Sequence, residues 1–82
     1  MKLDLYAEVT LTCDVPAHNL QRGDIATVID YVPHSEGGEE GCILEVFNVL
    51  GDSIAVVVVP LSAIAPLRAD LVPSARSLAE SA

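Results

Sequence analysis

The sequence has no tryptophan and few aromatic side chains, which limits the surfaces it can form. Tyr6, Tyr31 and Phe47 are its only large flat side chains. Recognition of proline-rich peptides depends on an aromatic-lined groove, so this composition argues against that activity. Because 51% of the residues are hydrophobic, a core must be built mainly from Val, Leu, Ile and Ala.

Positive charge is scarce as well. Four basic residues stand against 12 acidic ones, and the formal net charge is −8. Affinity for nucleic acid comes largely from Lys and Arg that neutralise phosphates, so the composition argues against binding DNA or RNA. The same shortage argues against attachment to an anionic membrane surface. If the negative charge contributes to binding, it favours a basic protein partner. The alternative is that the negative charge only keeps the chain soluble.

The sequence contains no apolar run long enough to cross a bilayer. The longest, residues 54–61, includes Pro60 and is far short of the ~20 residues that a spanning helix needs. Asp4 and Glu8 interrupt the N-terminal region before a signal-peptide core could form, so we expect a cytoplasmic location. In a reducing compartment Cys13 and Cys42 are expected to be free thiols. Cys42 is predicted to be a small buried hydrophobe, and Cys13 the more exposed of the two.

Apolar and polar residues alternate with the two-residue period of half-buried β-strands. The first predicted strand covers residues 5–12, with Leu5, Val9 and Leu11 among its inward positions. A polar loop with Leu20 as its apolar anchor leads to a β-branched strand at residues 25–32. The imperfect alternation of this strand predicts a bulge or sharp bend near Ala26-Thr27.

The pattern in the second half of the chain predicts a hairpin followed by a short last strand. Strands at residues 42–48 and 54–59 flank a tight connection, and Cys42, Leu44 and Val46 are expected to face inward. Residues 60–64 suit one 3₁₀ turn, followed by a brief last strand at 65–67. We therefore predict a barrel domain at residues 1–68 and a C-terminal tail at 69–82, which is either a short helix or frayed.

The fourth predicted strand is apolar on both faces, so something must cover the face that the core does not. We predict that Ala55, Val57 and Val59, together with Phe47, form a patch that docks a protein or a second copy. The alternative is that the tail, through Leu71, Val72 and Leu78, folds back over this face.

The order of elements, with a loop ending in Arg22-Gly23-Asp24 and a glycine-rich loop before the hairpin, is that of an SH3-like barrel. The sequence resembles a bacterial family of short uncharacterised SH3-like proteins, and the resemblance lies in residues 14–16, 20–28, 44–47 and 61–67. That family carries a Leu-x-x-Gly-x-x-Gly-Thr-Val signature and a Val-Glu-Phe strand, and it has only a domain-of-unknown-function label. Ala26 departs from the pattern, where a glycine is usual. The resemblance implies an all-β, five-stranded SH3-like small barrel with one 3₁₀ turn before the last strand and a C-terminal tail.

Residues that could carry chemistry do not form a recognisable catalytic or metal-binding pattern. The spacing of His18 and His34 lacks the close ligand pairs of zinc sites, and the glutamates of residues 36–40 lack EF-hand spacing. Neither cysteine lies in a catalytic motif, so we expect no enzyme activity, no catalytic residues, no metal and no cofactor.

The leading hypothesis is a small acidic protein-interaction module, either a homodimer or an antitoxin- or immunity-type partner of a basic protein. Two alternatives remain. Residues 23–28 are similar to the start of the KOW motif, which implies a nucleic-acid or ribosome-associated domain. A small regulatory subunit of an enzyme complex is the other.

Overall fold

The computed structural model describes residues 3–34 and 38–77, and in them it contains β-strands and 3₁₀ turns but no α-helix. The five strands are antiparallel and form one sheet in the order β4-β3-β2-β1-β5. The predicted all-β fold with five strands is confirmed, as is the 3₁₀ turn before the last strand. The strands are β1 (Glu8–Leu11), β2 (Ile25–Val32), β3 (Gly41–Phe47), β4 (Ser53–Pro60) and β5 (Ile64–Pro66), and the 3₁₀ turns are Pro16–His18 and Leu61–Ala63.

The short connection between β4 and β5 forces the sheet to curl. These strands are the two edges of the sheet, so in a flat sheet they would lie about 19 Å apart, four spacings of ~4.8 Å. The turn Leu61–Ala63 joins them, and four residue steps span at most about 14 Å, or about 8 Å in 3₁₀ form. The edges must therefore approach each other at this end, which gives the sheet a barrel-like shape.

Hydrogen bonds hold this turn between the two halves of the sheet. The Leu61 N–H donates to the Glu40 carbonyl at 2.9 Å, and the Thr12 N–H donates to the Ala63 carbonyl at 2.8 Å. Glu39 adds its carboxylate, which accepts from the N–H and the hydroxyl of Ser62 at 3.1 and 3.0 Å. Glu39 thus binds the closing turn with its side chain.

The curled sheet encloses one apolar core. Leu20 is 3% exposed, which confirms its prediction as the anchor of the first loop. All of the strands except β5 contribute to the core, and the turn before β5 adds Ala63. The buried apolar residues are Val9, Leu11, Leu20, Ala26, Val28, Cys42, Leu44, Val46, Val57, Val59 and Ala63.

The first strand is shorter than predicted. Val9 and Leu11 face inward as expected, but β1 begins at Glu8, and Leu5 is 47% exposed. The cause is a turn in which Tyr6 adopts a φ of 68°, a left-handed conformation that breaks the strand alternation. The Ala7 N–H donates to the Asp4 carbonyl at 3.1 Å and closes that turn.

The predicted irregularity in β2 is a bulge at Ile29, two residues beyond its predicted position at Ala26-Thr27. Val28 pairs with Leu44 and Asp30 pairs with Ile43, which leaves one extra residue on β2. Ala26 and Val28 both face the core, and continued alternation would turn Asp30 inward as well. The extra residue instead exposes Asp30 and turns Tyr31 toward the core, where its hydroxyl donates to the Leu3 carbonyl. The bulge therefore keeps a carboxylate out of the apolar interior.

Candidate interaction surfaces

The register of the β3–β4 hairpin decides which face of β4 is exposed. Buried Cys42 and Leu44 pair with Val59 and Val57, and cross-strand partners lie on the same face of a sheet. Val57 and Val59 are therefore core residues, 6% and 0% exposed.

The predicted patch is wrong in this respect. Val57 and Val59 are buried and Ala55 is half-buried, whereas Phe47 is 42% exposed as the prediction requires. A second bulge, at Ile54 where Val46 pairs with Ala55 and Phe47 with Ser53, sets this phase. Since both faces of β4 are apolar, the alternation in the sequence could not distinguish inside from outside.

The exposed face belongs to the other residues of the strand. Ile54, Val56 and Val58 are 43%, 58% and 46% exposed. On β3, Ile43 lies beside Val58, and Glu45 lies beside Val56. We call this surface the hairpin face; its residues are Ile43, Glu45, Phe47, Ile54, Val56 and Val58.

Glu45 places a carboxylate in the middle of the hairpin face. Its cross-strand neighbours are Val56 on β4 and Thr27 on β2, and its side chain is half-buried. Over residues 3–34 and 38–77, no hydrogen bond or ion pair to this carboxylate is formed. The hairpin face is thus an apolar surface with one unpaired negative charge at its centre.

The tip of the hairpin extends the apolar surface. Val49 and Leu50 are 85% and 83% exposed. The Asn48 side-chain oxygen accepts from the N–H groups of Leu50 and Asp52, both at 2.9 Å, and so fixes the turn. Gly51 has a φ of 92°, which favours glycine at this position. The turn therefore holds two large aliphatic side chains in solvent.

The described part of the tail does not take the alternative course over the fourth strand. Residues 69–77 form neither helix nor strand, and Leu71, Val72 and Pro73 lie beside Glu8, Thr10 and Ile25 of β1 and β2. They do not cover Val56 or Val58. Leu78, the third residue predicted to contact the fourth strand, lies outside the described residues.

Two grooves separate the tail from the sheet. One of about 500 Å³ lies between residues 67–73 and the outer side of β1. The other, of about 490 Å³, is lined by residues 73–77 and by Asp24, Thr27, Phe47 and Ile54. The tail is therefore packed loosely, and all of its described residues are exposed.

Arg76 attaches the tail to the first loop. Its Nε donates to Asp24 Oδ1 at 3.0 Å, and its Nη2 donates to Asp24 Oδ2 and, at 2.9 Å, to the Asn19 carbonyl. Hydrogen bonding to Asp24 raises the pKa of the Arg76 guanidinium, and the negative charges of Asp24 and Asp14 act in the same direction. Sequence reasoning missed this pair, because 52 residues separate the partners.

Asp24 is held in place by its own loop. Its Oδ2 accepts from the Gln21 N–H at 2.7 Å, and its N–H donates to the Gln21 carbonyl at 3.0 Å. Asp14 accepts from the Arg22 N–H at 2.9 Å on the other side of the loop. The loop thus presents a fixed carboxylate to the arginine.

The residues considered for chemistry are dispersed. In the part of the chain that the structure describes, no three His, Cys, Asp or Glu side chains come close enough to hold a metal ion. Cys13 is exposed and Cys42 is buried, both as free thiols, and burial raises the pKa of Cys42 from 9.0 to about 11. Glu36 lies outside the described residues. Among those described, no helix has the length and apolar character needed to cross a membrane.

The fold and these surfaces define a small, all-β, barrel-like domain with an exposed hairpin. Residues 5–66 match the family described as Domain of unknown function (DUF4926), and the chain belongs to that family. No curated protein and no solved structure matches the chain. The predicted membership in a domain-of-unknown-function family is confirmed, and residues 69–77 lie beyond the matched segment.

Proposed function

We propose that this protein is a non-catalytic protein-interaction module whose hairpin face docks a basic protein. The observation that carries the proposal is the exposed apolar surface of Ile54, Val56 and Val58 around the unpaired Glu45 carboxylate. Exposed apolar patches with a polar group mark sites of association in small proteins. An antitoxin- or immunity-type role, in which an acidic protein masks a basic surface, is one setting that such docking fits.

Glu45 favours a basic partner over a second copy placed face to face. Docking an apolar surface removes water from this carboxylate, and a desolvated carboxylate is costly unless a cation pairs with it. A Lys or Arg of the partner would supply that cation. A second copy stacked on the hairpin face would instead bring a second unpaired carboxylate. The net charge of −8 adds long-range attraction to a basic partner and repulsion between copies.

The nucleic-acid alternative gains no support from the described cations. Arg68 pairs with Asp70 at 2.9 Å, and Arg76 pairs with Asp24. Arg22 is then the one described arginine whose side chain has no acidic partner among residues 3–34 and 38–77. A single unpaired cation provides little phosphate neutralisation.

The proposal is tested with a matched pair of substitutions. Val56→Asp puts a charge on the hairpin face, and Val72→Asp makes the same change on the tail, where Val72 is 87% exposed. The wild-type chain serves as bait in an extract of its own host, and the captured protein is purified and titrated by calorimetry. We expect Val56→Asp to weaken binding by at least about tenfold, the loss typical of a central interface residue. Val72→Asp should bind as the wild type does.

Glu45 provides the second arm of the experiment. Glu45→Gln keeps the shape of the side chain and removes its charge, so affinity should fall and its dependence on salt should weaken. Equal affinity for wild type, Val56→Asp and Glu45→Gln would contradict the proposal. Light scattering of the free chain gives the remaining outcome: a wild-type dimer that Val56→Asp dissociates would show that the hairpin face binds a second copy instead.

A further inference from the structure

The strongest contact between the tail and the sheet has the chemistry of a ligand in a binding site. In the described part of the chain, apart from bonds to the adjoining Arg68, all hydrogen bonds between residues 69–77 and the barrel come from Arg76. Of the apolar tail residues, Val72 is 87% exposed and Leu71 is 37% exposed, and grooves of about 490 and 500 Å³ border the segment. One guanidinium group therefore fixes a loosely packed segment.

The partners of that guanidinium outside the tail are all provided by the first loop, while its Nη1 donates to the Ser77 carbonyl of the tail at 3.2 Å. Asp24 meets Nε and Nη2 with its two oxygens, which is the paired geometry that an arginine matches and a lysine does not. The Asn19 carbonyl accepts a further bond from Nη2, while the Asn19 N–H is used by the Pro16 carbonyl at 3.2 Å. Asp24 Oδ2 also accepts from the Gln21 N–H of its own loop at 2.7 Å. We call these acceptors the Asp24 site.

The site and its occupant come from different parts of the chain. Asp24 and Asn19 lie inside residues 5–66, which match the family, whereas Arg76 lies outside them. The groove continues from Arg76 past Thr27 to Phe47 and Ile54 at the edge of the hairpin face. A segment that enters this groove can thus place an arginine at Asp24 and run on toward the apolar surface.

We infer that the Asp24 site is a binding site for an arginine side chain carried on an extended polypeptide, and that the tail fills it in cis through Arg76. When the tail leaves, an arginine of another protein takes the same acceptors. The tail then acts as a competitor, and its tether gives it an effective concentration on the order of millimolar. The inference goes beyond the proposed function, because it does not require that the hairpin face binds anything.

The test uses the tail as a probe in trans. A synthetic peptide of residues 69–82 is titrated into the full-length, ¹⁵N-labelled chain, and amide shifts are followed by NMR. In the Arg76→Ala chain the site is empty, so the peptide should bind and shift the amides of Asn19 and Asp24. The wild-type chain should bind it about tenfold more weakly, because its own tail competes. The Arg68→Ala chain is the matched control and should behave as wild type, since the exposed Arg68 side chain pairs with Asp70 and, among the described residues, with no group of the Asp24 site.

Two further variants make the test specific to the guanidinium and its carboxylate. A peptide with Arg76→Ala should not bind, and Arg76→Lys should bind more weakly than the natural sequence. Asp24→Asn, added to the Arg76→Ala chain, should abolish binding while an amide oxygen still accepts from the Gln21 N–H. Absence of shifts at millimolar peptide, or equal binding of the natural and the Arg76→Ala peptide, would overturn the inference.

A last comparison separates this inference from the proposed function. Val56→Asp, added to the Arg76→Ala chain, should leave peptide binding unchanged, because Val56 does not line the groove. Loss of the partner with retained peptide binding would support both proposals. Retained peptide binding with intact partner binding would contradict the proposed function alone. Absence of peptide binding in the Arg76→Ala chain, with partner binding that Val56→Asp weakens, would overturn the Asp24 site alone.

Discussion

The two outer sides of the sheet differ in what lies over them. The tail passes the β1–β2 side, whose outward residues include Glu8, Thr10 and Thr27. The hairpin face is more apolar, and residues 69–77 reach only its edge at Phe47 and Ile54 and leave Val56 and Val58 open. If the tail were a hydrophobic lid, it would lie on the valines. Its hydrogen bonds to the barrel instead come from Arg76 at the first loop, so packing within the described chain does not cover Val56 and Val58.

The largest expected effect is the difference in unfolding free energy between the same substitution on the inner face of β4 and on its outer face. Val57→Asp would bury a carboxylate in the core, where Val57 is 6% exposed, and should lower the free energy of unfolding by about 4 kcal/mol or more. Val56→Asp makes the same change on the hairpin face and should cost less than about 1 kcal/mol. Urea unfolding followed by circular dichroism measures both. Similar losses for the two variants would show that the register of β4 differs from the one described.

The predictable part of the fold follows from local patterns. Alternation located Val9, Leu11, Cys42, Leu44 and Val46 on the inner face, and the 3₁₀ turn followed from a short apolar segment next to Pro60. In most of these strands the outward positions are polar, so the sequence identifies which face of the strand is buried. This signal is sufficient for the strand count.

The features that were not predictable depend on contacts that alternation does not encode. The bulges at Ile29 and Ile54 shift the phase of β2 and β4 by one residue, and only the paired strand reveals them. On β2 the charge of Asp30 signalled a break. On β4 no polar residue marks either face, so Val57 and Val59 were assigned to the wrong side. The contact of Arg76 with Asp24 joins two loops with no shared pattern.

The thiols give the next expected effect, because one lies inside the hairpin and the other is exposed in the first loop. Cys42 pairs with Val59 behind the hairpin face, and burial raises its pKa from 9.0 to about 11. The folded state thus holds this proton at pH values where the unfolded state releases it. The stabilisation is complete below about pH 9 and is lost as the pH rises toward 11, by an amount on the order of 2 kcal/mol.

Unfolding at several pH values measures this loss, and Cys42→Ala serves as the reference that lacks the thiol. The difference between wild type and Cys42→Ala should shrink between pH 9 and 11. Cys13→Ala should follow the wild-type curve, because Cys13 is exposed. A thiol reagent should modify Cys13 in the folded chain and Cys42 only after unfolding. Fast modification of Cys42 in the folded chain would mean that the inner side of the hairpin is open to water.

The smallest expected effect is a difference in the rate of tryptic cleavage between Arg76, which lies in the tail, and Arg68, which directly precedes it. Arg68 is 67% exposed in its side chain, and Arg76 is 27% exposed because Asp24 binds it. Trypsin must take the arginine side chain into its own pocket, so Arg76 is cleaved only when it has left Asp24. Initial cleavage rates, normalised to those of an unfolded peptide of the same sequence, should be a few-fold lower at Arg76. Asp24→Asn should raise the rate at Arg76 and leave Arg68 unchanged. Equal normalised rates in the wild-type chain would mean that the tail spends most of its time away from the sheet, and the difference between the two sides would then lie in the strands alone.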